Sequence, residues 1–285
     1  MFKKKTILLF VILISVFALA LVGCGTANAP EPDNNSNNNG NDNNGEAVGD
    51  GSLDRVLAAG AFSAAGSGGY PPFNFYEGDD VVGFDVDTGE AIAERLGVEL
   101  DYVTTAWDGI IEGLRSNRYD AVLGSMAITE ERLQVVNFTV PYYYSGAQLV
   151  VLGDSGITDP GDMDGKTIGV VTGTTFAEDA EALGAEVALY EDDNQTLIEL
   201  INGRVDGVIT DRLVAVRAMA EMQQGEKLAL AGDLLRTEEM ALAIHKDDTE
   251  LLERLNEILL EMHADGTMTA ISEAWFGEGI DITKQ

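Results

Sequence analysis

Hydrophobic and polar residues follow three different patterns along the chain. An apolar run over residues 7–22 comes after three lysines and is interrupted only by Ser15. Residues 26–50 are almost entirely Asn, Asp, Gly, Glu, Pro and Ala. From Leu53 onward, short strand-like runs alternate with amphipathic helical segments, a pattern typical of an α/β fold with βαβ units. The chain therefore divides into a leader, a polar linker and a folded body.

The strongest local helix signal lies early in the body. Asp87 as N-cap and Glu90 predict a capping box for a helix over residues 88–96. Gly97 is placed to end that helix, because glycine adopts the left-handed conformation of a helix C-terminus. A strand over residues 98–103 is expected to follow.

One helix–turn–strand unit occurs twice. A predicted helix over residues 108–116 leads through Asn117-Arg118-Tyr119-Asp120 into a strand over 121–124, and Gly203-Arg204-Val205-Asp206 lies in a similar unit about 86 residues later. This repetition has two explanations, namely two lobes of similar design or a chance similarity between ordinary segments. Ser125 and Asp211 each lie five residues beyond the Asp of their copy. Ligands bind beyond the carboxyl ends of strands in open α/β sheets, so both residues should look into one cleft if the lobes face each other.

The apolar leader ends in Leu21-Val22-Gly23-Cys24, which contains the single cysteine of the sequence. Its length is short for a membrane-spanning helix, which needs about 20 residues, and it lies where a secretory signal belongs. The four residues resemble the lipobox of bacterial lipoproteins. The resemblance implies that residues 1–23 are removed and that Cys24 carries a lipid anchor; an ordinary signal peptide or an anchor helix is the alternative. Residues 24–51 then form a disordered tether, because they have almost nothing apolar to bury.

Composition excludes several classes of function. The chain has 49 acidic and 17 basic residues, for a net charge of -32. Nucleic acids are therefore not expected partners, since binding them depends on basic patches. A single cysteine leaves no intramolecular disulfide and no cysteine metal cluster. We expect a monomer without cofactor or metal, and either a salt-adapted or a merely acidic secreted protein would have this charge.

An ordered set of motifs carries a resemblance to a known family. The motifs are Tyr70-Pro71-Pro72-Phe73-Asn74-Phe75, Gly83-Phe84-Asp85-Val86-Asp87, Gly124-Ser125-Met126-Ala127-Ile128-Thr129-Glu130-Glu131-Arg132, Gly173-Thr174-Thr175 and Trp275-Phe276-Gly277. In this order and spacing, residues 52–278 resemble the extracellular substrate-binding proteins of polar amino acid ABC transporters, solute-binding protein family 3.

The resemblance implies a two-lobed, periplasmic-binding-protein-like (type II) α/β fold with two hinge crossings. Lobe 1 would comprise residues 52–143 and 240–278, and lobe 2 would comprise residues 147–237. The chain would cross near residues 144–146 and 236–238, and residues 279–285 would form a C-terminal tail.

The two ends of an α-amino acid need a bidentate cation for the carboxylate and an acceptor for the ammonium. Arg132 offers a planar fork of donors, in the first turn of a helix that Thr129 can cap. An ionised Asp211 only accepts hydrogen bonds and suits the ammonium. From the residues alone, Arg132 could instead be a solvated helix charge, and Asp211 could be a turn or cap residue. The resemblance assigns both to the ligand.

Further contacts follow from the resemblance. Thr174 and Thr175, at a helix start, would add hydroxyls beside the carboxylate, although a simple capping turn is the alternative. Tyr70 and Trp107 would sandwich the ligand side chain, although core packing is the alternative for each ring alone. The full predicted ligand set is Tyr70, Trp107, Ser125, Ala127, Arg132, Thr174, Thr175 and Asp211.

The chain departs from the family pattern at three positions. Ala127 stands where relatives often have Thr or Ser, so a hydroxyl contact is lost. Ser67 stands where many relatives have Asp, which weakens the case for lysine or arginine as ligand. Val171 stands where glutamine binders tend to carry Lys. These residues favour a polar or small neutral amino acid.

The resemblance implies a lipid-anchored receptor on the outer face of the cell membrane, in the periplasm if the host has an outer membrane. It would bind a free amino acid and deliver it to the permease of an ABC importer. The alternatives are a sensor for a signalling partner and a cyclohexadienyl-dehydratase-like enzyme. We do not expect the protein to be an enzyme, because the candidate acids and bases form no distinctive catalytic set. These candidates are His245, His263, Glu178 and Asp179.

Overall fold

The computed structural model describes residues 49–284, which form nine α-helices and twelve strands. The predicted leader, the lipidation site Cys24 and all but the last three residues of the predicted tether lie outside the described residues. Within residues 49–284, no helix is both long enough and apolar enough to cross a membrane.

The helices are α1 (Ser52–Ala59), α2 (Phe84–Leu96), α3 (Ile110–Arg115), α4 (Glu130–Leu133), α5 (Phe176–Ala182), α6 (Asp193–Ile201), α7 (Arg212–Glu221), α8 (Thr249–Asp265) and α9 (Thr267–Phe276). The strands are β1 (Ala61–Gly66), β2 (Gly69–Tyr70), β3 (Asn74–Glu77), β4 (Asp80–Val82), β5 (Glu99–Thr104), β6 (Ala121–Ala127), β7 (Val136–Phe138), β8 (Tyr143–Leu152), β9 (Thr167–Val171), β10 (Glu186–Tyr190), β11 (Gly207–Asp211) and β12 (Leu228–His245).

Two parallel strand groups are joined by a pair of antiparallel strands. The sheet order is β10-β9-β11-β8-β12-β6-β1-β5, with β7 beside β12. Strands β1, β5 and β6 pair in parallel, as do β9, β10 and β11. Strands β2, β3 and β4 form a separate small sheet. We call the half around β1, β5, β6 and β7 lobe 1, and the half around β9, β10 and β11 lobe 2.

The chain passes between the lobes along β8 and β12, which pair antiparallel with each other. Arg236 is opposite Ala147, and Glu238 is opposite Ser145. The pairing is interrupted between Ala231 and Arg236. The two segments predicted as crossings therefore lie side by side on neighbouring strands, while the residue bounds predicted for each lobe stay a prediction.

Each lobe has its own apolar core. Phe62 and Leu255 are fully buried in the largest lobe 1 cluster, and Leu149 and Ile168 are fully buried in lobe 2. Burial of one such side chain stabilises the fold by roughly 1.5–3 kcal/mol. Val214 of α7 follows a lobe 2 strand but packs into the lobe 1 cluster. The start of α7 thus joins the two halves.

The predicted start of α2 was wrong by four residues. The helix begins at Phe84 after the N-cap residue Gly83, so Asp87 lies inside the first turns and caps nothing. A methyl group on Gly83 would lie 2.0 Å from the carbonyl oxygen of Phe73, at a φ of +137° that favours glycine. Asp87 instead accepts a hydrogen bond from Trp275 Nε1 at 2.7 Å. Long-range packing, rather than a local capping box, sets this helix start.

Other predicted elements differ by smaller amounts. The strand predicted over 98–103 is β5, shifted by one residue. The helix predicted over 108–116 is a 3-10 turn, Trp107–Gly109, followed by α3. The strand predicted over 121–124 continues through Ala127 as β6. That extension carries Ser125 and Ala127 on a fully buried strand.

Candidate functional site

A cavity lies between the two lobes, with about 540 Å³ of empty space when the part open to solvent is included. Residues from both lobes line it, including Ser67 and Val171. Seven of the eight predicted ligand residues are among the lining: Tyr70, Trp107, Ser125, Ala127, Arg132, Thr174 and Thr175.

Arg132 enters the cavity from the short helix α4. As the sequence predicts, Thr129 caps this helix, and its hydroxyl oxygen accepts from the Arg132 backbone N–H at 3.1 Å. The guanidinium donates to the carbonyl of Ala127 at 2.8 Å and to that of Gly173, in lobe 2, at 3.3 Å. The guanidinium carbon, Cζ, lies 5.9 Å from the centre of the Trp107 ring. Burial lowers the pKa of Arg132, while Glu238 and Glu131 oppose the change.

Ser125 is held by a buried polar network within lobe 1. Its φ is +59°, uncommon for a residue other than glycine. The Ser125 backbone N–H donates to the Tyr142 hydroxyl at 3.0 Å, and the Ser125 hydroxyl donates to Asp85 at 3.0 Å. Tyr142 and Asn74 donate to the same carboxyl at 2.6 and 2.7 Å. Burial raises the pKa of Asp85 to about 6, although these donors oppose the rise.

The lobe 2 wall of the cavity includes the turn before α5. Gly173 has a φ of +80°, and Thr174 donates its hydroxyl to the carbonyl of Val171 at 2.7 Å. Thr175 makes no side-chain cap on α5; its hydroxyl donates to Glu238 Oε1 at 2.8 Å. The capping alternative for Thr175 is therefore wrong.

Asp211, the eighth predicted residue, is not among the cavity lining. It ends β11 and caps α7, where its Oδ1 accepts from the Leu213 backbone N–H at 2.7 Å. The side chain is fully buried, and its other oxygen, Oδ2, has no hydrogen-bond partner. Burial raises the pKa of Asp211 to about 7, and the nearby Ser145 hydroxyl partly opposes the rise.

Glu238 is a cavity residue that sequence reasoning missed. It lies on β12 at the crossing between the lobes and is almost fully buried. Its Oε1 accepts from Arg236 at 2.7 Å as well as from Thr175, and Arg236 also binds Asp179 of α5 through two nitrogens at 2.9 Å. Its Oε2 has no partner. The only sequence signal for Glu238 was its place in a predicted crossing segment.

Three acidic residues at the start of α6 were also missed. Glu191, Asp192 and Asp193 all line the cavity. Asp192 caps the helix by accepting from the Gln195 backbone N–H at 2.8 Å. Asp193 is buried and accepts from the Thr210 hydroxyl at 2.5 Å; burial raises the pKa of Asp193 to about 6. A strand followed by an Asp N-cap was the available signal, but it marks helix starts in general.

One cavity residue, Glu238, carries an unpaired buried polar atom. Over residues 49–284, the buried side-chain atoms without a hydrogen-bond partner are Tyr143 Oη, Asp211 Oδ2 and Glu238 Oε2. After burial itself, the charge of Asp211 contributes most to raising the pKa of Tyr70, which lines the cavity; Asp193 and Glu238 follow. Glu238 Oε2 is an unsatisfied acceptor in the cavity wall, so the site suits a ligand that donates a hydrogen bond there.

The lobes are closed on each other around the cavity. Trp107 Nε1 of lobe 1 donates to the carbonyl of Gly173 in lobe 2 at 3.2 Å. Arg217 of α7 lies 4.8 Å from the ring centre of Phe75 in lobe 1. In the described part of the chain, no group of three or more His, Cys, Asp or Glu side chains is placed to hold a metal ion.

Two α/β lobes lie on either side of a cavity that residues from both lobes line. Residues 63–278 match the model of the bacterial extracellular solute-binding proteins, family 3. The chain belongs to this family, which confirms the predicted family and its two-lobed fold.

The relatives are amino-acid-binding proteins. The chain is 36% identical over 241 residues to the L-cystine-binding protein TcyJ of Escherichia coli strain K12, covering 82% of this chain and 89% of that protein. It is 34% identical over 240 residues to ABC transporter arginine-binding protein 1 of the same organism, covering 79% and 97%.

Solved structures agree with this assignment. A mutant of ArgBP from T. maritima superposes with a TM-score of 0.75 at 35% identity, covering 80% of this chain and 100% of that one. The ancestral amino acid-binding protein AncCDT-1, a precursor of cyclohexadienyl dehydratase, gives a TM-score of 0.73 at 32% identity, covering 79% and 99%.

Proposed function

We propose that this chain is an extracellular receptor that binds a free amino acid between its lobes and delivers it to an ABC importer. The observation that carries the proposal is the guanidinium of Arg132 and the unpaired buried oxygen of Glu238 in the wall of one cavity. A second unpaired carboxylate oxygen, Asp211 Oδ2, is buried behind that wall, where its charge acts on the cavity residue Tyr70. The relatives named as cystine-binding and arginine-binding proteins support the same substrate class.

Arg132 binds the ligand carboxylate in this proposal. Two of its five N–H groups are directed to the carbonyls of Ala127 and Gly173, which leaves further donors of the planar fork for a carboxylate. The Ala127 carbonyl, within lobe 1, also orients the guanidinium before the ligand arrives. Thr174 and Thr175 lie on the opposite wall and close the carboxylate end of the cavity.

The ligand ammonium completes the hydrogen bonding of the unpaired acceptors. An ammonium carries three donors and no acceptor, and Asp211 and Glu238 each offer one unpaired buried oxygen. A buried carboxylate without a partner is costly, so an ammonium gains a large interaction there. Arg132 belongs to lobe 1 and Asp211 to lobe 2, so one zwitterion holds the two lobes together. Closure by hinge motion follows from this arrangement.

Tyr70 and Trp107 line the cavity from lobe 1 and supply flat apolar faces to the ligand side chain. Ser125 contributes to the cavity wall from the strained end of β6, and Ala127 adds a methyl group there.

We further propose that Cys24 carries a lipid and that residues 24–51 tether the receptor to the outer face of the membrane. Tethering raises the local concentration of the receptor at the importer. Metabolic labelling with a radioactive fatty acid would test this, since Cys24→Ser should lose the label and release the protein from the membrane fraction.

A dehydratase is the second candidate, because AncCDT-1 is described as the precursor of one. Neither histidine lines the cavity: His263 contacts the carbonyl of Pro141, and His245 accepts from the Asp247 backbone. Asp179 is bound by Arg236. The cavity therefore offers no histidine as general acid, and binding remains the better supported function.

A thermal-shift screen of the twenty amino acids, cystine and ornithine tests the proposed function. A ligand that binds only the native state stabilises it, by about 2.7 kcal/mol when the ligand concentration is a hundred times the dissociation constant. The melting temperature therefore rises. We expect at least one amino acid to produce such a rise in the wild type and none in Arg132→Ala. Flat melting curves for the whole set would refute the proposal.

A further inference from the structure

The cavity holds more negative charge than the α-ammonium of one amino acid can balance. Four carboxylates line it, from Glu191, Asp192, Asp193 and Glu238, against the single guanidinium of Arg132. Glu238 is already paired with Arg236 through one oxygen, but its buried Oε2 is unpaired. Asp211, fully buried, adds a further unpaired oxygen close to Tyr70.

The start of α6 packs against the β2 segment of lobe 1. The charges that act most strongly on Arg132 are those of Glu238, Glu131, Arg236 and Glu178, none of which belongs to α6. A methyl group added at Gly69, in lobe 1, would lie 3.6 Å from Cβ of Asp192. Asp192 therefore faces the β2 segment of lobe 1, which ends in Tyr70, the residue proposed to contact the ligand side chain.

Among the described residues 49–284, Asp192 and Asp193 form no ion pair with a lysine or arginine. The groups that act most on Asp193 are the Thr210 hydroxyl, which lowers its pKa, and the Asp192 carboxylate, which raises it, against a background of burial. Arg217 lies near this region but forms its ion pair with Glu221 at 2.9 Å. A positive group on the ligand is the natural partner for Asp192 and Asp193.

We infer that the ligand is an amino acid with a second positive charge at the end of its side chain, bound by Asp192 and Asp193. This inference rests on the proposed function and narrows its substrate class. It also replaces the preference for a polar or small neutral amino acid, which was drawn in part from Ser67. The acidic group that many relatives place at that lobe 1 position is supplied here by lobe 2, from the start of α6.

Matched ligand pairs test the inference directly by isothermal titration calorimetry. Arginine and citrulline have nearly the same shape and identical α-groups, but only arginine carries a charged side chain; ornithine and glutamine give a second comparison. Because hydrogen bonds to a charged group are stronger than those to a neutral one, we expect the cationic member of each pair to bind roughly 10- to 100-fold more tightly.

Variants of the α6 carboxylates connect that preference to the site. In Asp192→Asn with Asp193→Asn, the cap on Gln195 and the bond from Thr210 can persist, because Asn is also a good cap and its amide oxygen accepts. We expect the arginine-to-citrulline preference to fall at least about tenfold, with little change for citrulline. Asp154→Asn removes one negative charge from an exposed turn outside the cavity, and should keep the preference.

The outcomes separate the two proposals. Equal or tighter binding of citrulline and glutamine in the wild type would overturn the inference and leave the amino acid receptor intact. A double variant that keeps the full preference for arginine would also overturn it, since the charge would then be recognised elsewhere. Failure of every amino acid to bind the wild type would overturn the proposed function itself.

Discussion

Replacing Asp211 by Asn should make the ligand-free protein more stable while removing ligand binding. The carboxyl is fully buried with one oxygen unpaired, and burial raises its pKa from 3.8 to about 7. A pKa rise of this size means that ionised Asp211 destabilises the folded protein by at most roughly 4 kcal/mol. Asn keeps the acceptor that caps α7 and carries no charge.

The sign of the pH dependence follows from that raised pKa. Between the unfolded pKa near 4 and the folded pKa near 7, the native state binds more protons than the unfolded state. The stability that protonated Asp211 supplies is therefore full below about pH 4 and is lost as the pH rises through about 7. Asp211→Asn should differ least from the wild type near pH 4 and should melt at a higher temperature than the wild type at pH 8.

Thermal melts at the two pH values measure this difference. Each 1 kcal/mol shifts the melting temperature of a domain of this size by about 2–4 °C, so a gain of several degrees at pH 8 is expected. Ligand affinity should fall more than about 100-fold, because a buried ammonium loses its charged partner. Asp206→Asn, an exposed change just before the same strand, should alter neither property. Unchanged affinity, or no stability gain at pH 8, would refute the reasoning.

Three further predictions test other parts of the molecule. Arg132→Ala should weaken ligand binding by more than about 100-fold and Arg132→Lys by less, because lysine keeps the charge but loses the planar fork; calorimetry measures both. Gly83→Ala should lower the melting temperature by about 5–10 °C, since its methyl group would clash with the backbone of Phe73, whereas Gly78→Ala, with a positive φ but open space around it, should lower it less. Sodium chloride should raise the melting temperature of the wild type, because 49 acidic residues repel one another and salt screens them; a flat or falling curve would contradict this.

Local patterns predicted the parts of the site that are built by one element. Thr129 and Arg132 lie three residues apart on the same short helix, so their cap and orientation follow from sequence spacing. The repeated unit likewise placed Ser125 and Asp211 at or near the carboxyl ends of β6 and β11, since that position is a property of each strand.

What the sequence could not predict depends on how the lobes meet. Glu238 and Asp193 become cavity residues only because β12 crosses between the lobes and α6 faces β2. Neither residue has a local pattern that differs from an ordinary strand or helix start. The start of α2 was missed for the same reason, because the contact between Gly83 and Phe73 joins segments ten residues apart.

The account depends most on one guanidinium and one buried carboxylate that hold the two ends of a zwitterion. Calorimetric titration of the wild type with an amino acid and its two truncated analogues measures this directly; for arginine, the analogues are agmatine, which lacks the carboxylate, and 5-guanidinopentanoate, which lacks the ammonium. We predict that each analogue binds at least about 100-fold more weakly than the intact amino acid. An analogue that binds as tightly as its parent would contradict the account, because the corresponding end of the ligand would then make no essential contact.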